Sequence, residues 1–323
     1  MANYLITGGC GFIGSHLADS LLAAGHQVRI LDNLSTGKLD NISARCELHR
    51  GDVADPVAVR EAIRDMDGCF HLAAVASVEL SNRDWVGTHR TNLTSTINVL
   101  DAARQAKKGK PCPVVYASSA AVYGDNADVP LKEDACVRPL TAYGADKMGS
   151  ELHARVATVV HGVPTTGLRF FNVYGPRQDP SSPYSGVISI FSDRTQAGQV
   201  ITIFGDGQQV RDFIYVGDVV NFLLAAMQRP QAQPAIYNVC TKRPTSIQQL
   251  ASAIFAICDI RVDINFMPAR QGDIRTSIGD PTLASNNLGV TARTGLGDGL
   301  RKTLECPASQ TTRHSPQEIP ATG

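Results

Sequence analysis

Leu5-Ile6-Thr7-Gly8-Gly9-Cys10-Gly11-Phe12-Ile13-Gly14 decides how the rest of this 323-residue chain is read. Asn3 to Ile6 is a short apolar run of strand type. Ser15 to Ala24 places Leu17, Leu21 and Leu22 at helical spacing. Four glycines fall within the seven residues from Gly8 to Gly14. A strand that turns through glycines directly into a helix makes a phosphate cradle. The glycines permit a tight turn and close backbone approach, and the anion sits on the helix N-terminus. The spacing fits Gly9-x-Gly11-x-x-Gly14 and also Gly8-x-x-Gly11-x-x-Gly14. The following strand run, Gln27 to Leu31, ends in Asp32, eighteen residues past Gly14. An acid there accepts a hydrogen bond from a ribose 2′-hydroxyl and repels a 2′-phosphate, which points to NAD over NADP.

Composition bounds the alternatives. The chain is 43% apolar and 19% charged with no net charge, ordinary for a globular protein with a large core. Charge balance gives no basic footprint for nucleic acid or a membrane surface. No apolar run approaches the ~20 residues of a membrane span, and no signal peptide is expected. The eight cysteines are scattered without a Cys-x-x-Cys pair, which fits small core residues in a reducing compartment and argues against a metal site. A cytoplasmic location is therefore expected.

Strand and helix signals alternate through the first half, which predicts a parallel sheet covered by helices. The polar stretch Asn33-Leu34-Ser35-Thr36-Gly37 can wrap an adenosine ribose or form a surface turn. Cys46 to Arg50 reads as a third strand. Asp52, beside Val53, can take an adenine amino group or cap the helix starting near Pro56. The fourth strand, Cys69 to Ala74, ends in the small residues Ala73 and Ala74, which permit close approach of a cofactor or serve packing. His71 within it reads as a core histidine. A helix from Trp85 to Ala106 places Leu93, Ile97, Leu100 and Ala103 on its apolar stripe, and Asn92 is expected to bond sheet backbone or the nicotinamide side. The fifth strand, Pro113 to Ala117, runs into Ser118 and Ser119 at the carboxyl end of the sheet, where ligands of open parallel sheets bind. Tyr143 and Lys147 follow, four apart on a predicted helix to His161, and so share a face. A cation within ~4–6 Å favours a phenolate by roughly one to three pKa units, which would bring tyrosine toward the range of a general base.

These residues carry a resemblance. From residue 3 to about 305 the chain resembles the extended short-chain dehydrogenase/reductase superfamily, and within it the UDP-hexose and UDP-N-acetylhexosamine 4-epimerases. The motifs are Thr7 to Gly14, Asp32 to Gly37, Ser118-Ser119-Ala120-Ala121-Val122-Tyr123-Gly124, Tyr143-x-x-x-Lys147, Leu168 to Pro176, Arg211 to Val216 and Pro268 to Asp273. The resemblance implies a Rossmann-type doubly wound α/β fold with a smaller C-terminal substrate lobe. The expected division is 1–175 for NAD with a returning segment within 212–240, near Phe213–Val216, then 176–305 for substrate and a disordered tail at 307–323. The resemblance makes Ser119, Tyr143 and Lys147 catalytic, with Ser118 beside the substrate. Gly8, Gly11, Phe12, Ile13, Gly14, Asp32, Asn33, Ser35, Thr36, Gly37, Asp52, Val53, Leu72 to Ala74, Asn92, Tyr143, Lys147 and Phe170 would line the cofactor, with Lys147 on the nicotinamide ribose. Asn172, Arg211 and Arg270 would hold the diphosphate, Asp273 the uridine ribose, and Val187 the sugar. A homodimer through helices at 85–106 and 143–161 follows from the same resemblance, and no metal is expected.

Ala120 and Ala121 stand where the dehydratase branch carries Asp-Glu, and the decarboxylase branch needs Glu at 121. Reversible hydride transfer at C4 through a 4-keto sugar is what remains. In this family the residue four past Asp273 gates the pocket. Here it is Ser277, small where a bulky Tyr marks UDP-glucose/galactose enzymes. The expected reaction is therefore UDP-GlcNAc to UDP-GalNAc, with UDP-Glc to UDP-Gal as a further capacity. A UDP-glucose-only epimerase, a uronic acid epimerase, a net-redox or lyase enzyme on the same scaffold, and a non-catalytic cofactor-binding sensor are the competing readings.

Overall fold

A computed structural model describes residues 1–180, 186–269 and 273–305. Arg270 and the 307–323 tail lie outside them. The first half alternates strand and helix: β1 (Asn3–Thr7), α1 (Phe12–Ala23), β2 (Gln27–Asp32), β3 (Glu47–Arg50), α2 (Pro56–Ile63), β4 (Gly68–His71), α3 (Val78–Arg83), α4 (Trp85–His89), α5 (Ser95–Ala103), β5 (Val114–Ser119), α6 (Ala142–His161) and β6 (Thr165–Phe170). The second half adds β7 (Asn172–Tyr174), α7 (Val187–Gln196), β8 (Ile201–Phe204), β9 (Val210–Tyr215), α8 (Val216–Gln228), β10 (Ala235–Val239), β11 (Pro244–Ser246), α9 (Ile247–Cys258), β12 (Ile264–Met267) and β13 (Thr276–Ser277).

Seven strands form one parallel sheet in the order β10-β6-β5-β4-β1-β2-β3. The order reverses at β1/β4, and the glycine turn and the ends of β4 and β5 open on that side, the expected place for a ligand. Adjacent strand residues serve opposite layers. Ile6, Ile30, Phe70 and Val115 pack with α1 and α8, while Leu5, Leu31, Cys69 and Val114 pack with α2, α5 and α6. Helices on both faces are why these strands read as continuous apolar runs instead of alternating ones.

The return to the large sheet is made by β10, which pairs with β6 from Ala235↔Thr166 to Val239↔Phe170. The expected Phe213–Val216 return is corrected: Phe213 to Tyr215 belong to β9, in a second sheet with β7, β11 and β13. Val216 onward is the helix α8, packed on the large sheet's outer layer. Strand pairing is set by partners far away in sequence, which a local apolar run does not name. The pair β8–β12 and helices α7 and α9 enclose a separate core around Ile188, Phe191, Ile203, Leu250 and Ile254.

The helix expected over 85–106 is broken. A π-helical turn at Arg90–Thr94 joins α4 to α5. Its extra residue shifts the stripe, so Thr96, Val99, Leu100 and Ala103 are buried while Ile97 is 38% exposed. The cap of α2 is Asp55, accepting from Val57 N at 2.9 Å, whereas Asp52 accepts from Ala54 N at 2.9 Å in a local turn.

Candidate active site

The glycine turn is built for a close approach. A Cβ at Gly8 (φ +70°) would lie 2.8 Å from the Ala73 backbone, and one at Gly14 2.3 Å from the Gly8 carbonyl. Asp32 braces the same turn from the end of β2. Its carboxylate accepts from Cys10 N at 2.9 Å and from Leu34 N at 2.8 Å. Each oxygen retains a second lone pair, so the acid can hold the loop and still accept from a ribose hydroxyl. Thr7 Oγ1, paired with His71 Nδ1 at 2.8 Å, accepts from Leu72 N and Ala73 N and draws the end of β4 over the glycines. His71 is fully enclosed between Thr7 and Thr96, and burial pulls it down to about 3, so it is a neutral core histidine.

A cleft of about 630 Å³ opens above the sheet. Gly8, Gly11, Phe12, Ile13, Gly14, Asp32, Asn33, Ser35, Thr36 and Gly37 line it, as do Val53, Leu72, Ala73, Ala74 and Phe170, with Ser118, Ser119, Tyr143, Lys147 and Asn172 at its far end. The residues present fit NAD: a cradle that a Cβ would fill, a carboxylate at the end of β2, and small side chains after β4. Asp52 and Asn92 are not part of the lining. Asn92 is instead a clamp, accepting from Val75 N at 2.8 Å and donating to Val75 O at 3.2 Å, so it shapes the lining loop from behind.

Three residues at the end of β5 face three on α6. The helix starts where Thr141 Oγ1 accepts from Gly144 N at 3.0 Å, which puts Tyr143 and Lys147 on the face toward β5. Lys147 Nζ donates to Ala117 O at 2.8 Å and lies 5.8 Å from the centre of the Tyr143 ring. Ser119 and Tyr143 share a side-chain hydrogen bond. The electrostatics differ from the sequence expectation. Burial pushes the Tyr143 hydroxyl above its ordinary value of 10.0, and only the Ser119 bond opposes this. Burial pulls Lys147 down to about 8 against the charge of Asp146. The lysine is fastened to the Ala117 carbonyl, and desolvation sets the direction of the Tyr143 shift.

Ser118 belongs to the cleft lining, as expected, but its hydroxyl is already engaged. It is 1% exposed, and its hydroxyl donates to Glu151 Oε1 at 2.5 Å. The proposed uridine and diphosphate groups gather on the second sheet. Arg211 Nη2 donates to Asp273 Oδ1 at 2.6 Å and Nη1 to Ile274 O at 2.6 Å, and Ser277 pairs with Arg211 across β13 and β9. Arg211, Asp273, Ser277 and Val187 are not part of the cleft lining, although Gly186, next to Val187, is. Burial lowers Arg211 and the Asp273 carboxylate opposes it.

Sequence reading missed the wall made by Leu80, Asp84, Thr88 and Thr91, on the elements after β4. Their signal was positional, since whatever follows the fourth strand starts at the ligand-binding end of the sheet. It also missed a strap over the cleft. Arg177 Nη2 meets Asp19 at 2.8 Å, Lys38 Nζ meets Asp179 at 2.7 Å, and His16 Nε2 lies 3.0 Å from Pro176 O. Together these tie the 175–180 loop to the glycine-turn side.

Residues 4–240 match the NAD dependent epimerase/dehydratase family. A UDP-glucose 4-epimerase of Mycolicibacterium smegmatis is 37% identical over 308 residues, covering 93% of this chain and 97% of the relative. A UDP-N-acetyl-alpha-D-glucosaminuronate decarboxylase of Bacillus cytotoxicus is 35% identical over 262 residues, 77% of this chain and 78% of the relative. Among solved structures, a UDP-N-acetylglucosamine 4-epimerase from Methanobrevibacter ruminantium in complex with UDP-N-acetylmuramic acid superposes with a TM-score of 0.89 at 32% identity, covering 94% of this chain and 97% of that one.

Proposed function

The chain belongs to the NAD dependent epimerase/dehydratase family, and from that premise we propose that it is a UDP-sugar 4-epimerase acting on UDP-GlcNAc and UDP-GalNAc, with UDP-Glc and UDP-Gal as smaller substrates. The observation that carries the reading is the trio at the mouth of β5 and α6. Ser119 is bonded to Tyr143, Lys147 stands beside the same ring, and Ala120 and Ala121 follow Ser119. Tyr143 takes the C4 hydroxyl proton through or alongside Ser119 and returns it to the product. The Gly8–Gly14 turn and Asp32 would hold NAD, which would supply a reversible acceptor for the C4 hydride. Methyl groups at 120 and 121 offer no acid for elimination and no carboxylate for decarboxylation, which favours epimerisation over those outcomes.

We assign Asn172, Arg211 and Arg270 to the diphosphate and Asp273 to the uridine ribose. Arg211 would exchange its Asp273 bond for a bidentate phosphate contact, a use suited to a planar fork. On this reading 1–175 with the returning 212–240 segment holds NAD, and 176–305 holds the sugar nucleotide. We also propose a homodimer. Leu152, Val156, Val159 and Val160 form one stripe on α6 and are each 48–67% exposed, an apolar face that a second copy would cover. Light scattering at micromolar concentration should give twice the chain mass.

NMR of the purified protein with UDP-GlcNAc, and separately with UDP-Glc, without added NAD, tests the reading. Formation of UDP-GalNAc supports it, since retained cofactor then completes each cycle. Conversion of UDP-Glc alone overturns the pocket argument, and conversion of neither moves the substrate to another sugar nucleotide. Ser277→Tyr should lower kcat/KM for UDP-GlcNAc by about 10–200-fold, the range a steric pocket change commands. The same variant should leave UDP-Glc within a few fold. Equal losses on both sugars would show that Ser277 does not gate the acetamido group.

A further inference from the structure

Behind the trio lies a buried ion pair that the reaction does not use. Glu151 and Arg169 have side chains 7% and 5% exposed. Arg169 donates from Nε to Glu151 Oε1 and from Nη2 to Oε2, both at 2.8 Å, a two-pronged contact. Its third nitrogen, Nη1, donates to the Tyr123 hydroxyl at 2.8 Å and to Glu133 O at 3.0 Å. Tyr123 in turn donates to Asn238 Oδ1 at 2.7 Å. Every arm of the guanidinium is used, and burial, which pulls its pKa down, is outweighed by the Glu151 carboxylate. A buried pair of this kind adds little net stability over apolar residues of the same size, so stability alone is a weak reason for it.

Its location gives a stronger reason. Tyr143, Lys147 and Glu151 follow at i, i+4 and i+8 on one face of α6. They meet three consecutive residues of β5: Lys147 takes Ala117 O, Glu151 takes the Ser118 hydroxyl, and Tyr143 takes Ser119. The middle contact is anchored from behind by Arg169, whose own strand pairs with β5 at Ser118↔Arg169.

We propose that Glu151, held by Arg169, is a positioning residue that pins the end of β5 to α6 through Ser118, and so sets the Ser119–Tyr143 and Ala117–Lys147 distances on which proton transfer depends. The proposal rests on the reading of Ser119, Tyr143 and Lys147 as the reacting groups. It does not depend on which sugar is bound.

Ser118→Ala in the NAD-bound protein isolates the contact. Both carboxylate oxygens of Glu151 keep their Arg169 bonds, so no buried charge is left unpaired and the fold should persist. The expected result is a kcat lower by about tenfold, as a small misplacement of reacting groups produces. KM and bound NAD should be unchanged, and Ser118→Thr should restore the rate. The Ser119 bond favours the Tyr143 phenolate. Loosening it should therefore move Tyr143 ionisation to higher pH in ultraviolet difference titration, with Tyr143→Phe identifying that tyrosine's share. A lower melting temperature with unchanged kcat and unchanged titration would show a merely structural role and overturn the proposal. A raised KM with unchanged kcat would overturn it too, because Ser118 would then be touching substrate. Failure of Ser118→Ala to fold would count against it, since the retained ion pair is held to support that region. If the wild type turns over no UDP-sugar, the proposed substrate fails while the titration still decides the role of Ser118.

Discussion

Tyr143→Phe should lower kcat by about 10²–10⁴-fold, the usual contribution of a general acid–base, while the protein still purifies with NAD. The hydroxyl removed is the one that Ser119 bonds and that Lys147 faces from 5.8 Å. The bonds that brace the glycine turn come from Asp32 and Thr7, so cofactor binding should survive. The pH dependence follows from the sign of the shift. Burial raises Tyr143 above 10.0, and only the phenolate can accept the C4 proton, so the wild-type rate should rise with pH on its acid limb. Lys147, pulled down to about 8 by burial, favours the phenolate only while it is charged. Lys147→Met should therefore lower the rate below about pH 8, where the lysine is charged, and change it less above that pH. NMR progress curves across pH measure all three proteins. A Tyr143→Phe rate within tenfold of wild type would remove Tyr143 from the proton transfer.

Gly14→Ala should yield a folded chain with no retained NAD and no epimerisation unless the cofactor is supplied in excess. The added Cβ would sit 2.3 Å from Gly8 O and 2.8 Å from Gly9 Cα. Both are backbone atoms of the cradle itself, with no flexible side chain to yield. The turn has to open, which displaces the amides that would meet the pyrophosphate and disturbs the Asp32 bond to Cys10 N. Overpacking of this kind costs about 1–3 kcal/mol, within the margin of a domain this size. Gly297→Ala is the control, because no heavy atom lies within 4 Å of its added Cβ. Native mass spectrometry counts bound NAD, and full occupancy in Gly14→Ala would show that the cradle does not depend on a bare Cα there.

The readings that came through from sequence were those governed by local geometry. The glycine turn, the acid at the end of β2, and Tyr143 with Lys147 on one helical face each rest on spacings of a few residues. The helix Ile247–Cys258 has local signals of the same kind, an apolar period and the Ser246/Gln249 capping box at its start. Ser118 shows where this stops. Its place at a strand end pointed to the cleft, but strand alternation and a carboxylate 33 residues away turn its hydroxyl inward. The same limit applies to the Arg211–Asp273 pair, separated by 62 residues, and to the segment Phe213–Tyr215 that belongs to the second sheet.

By itself the sequence determined the parallel α/β layering, the glycine cradle and the placing of Tyr143 and Lys147 on one helical face, because these follow from backbone periodicity and from what a tight turn tolerates. Only the tertiary structure decided which strand closes the large sheet, that the Ser118 hydroxyl is taken up by Glu151, and that a buried Glu151–Arg169 pair stands behind the trio. Those outcomes depend on contacts between distant segments, where desolvation and hydrogen-bond satisfaction outweigh any local preference.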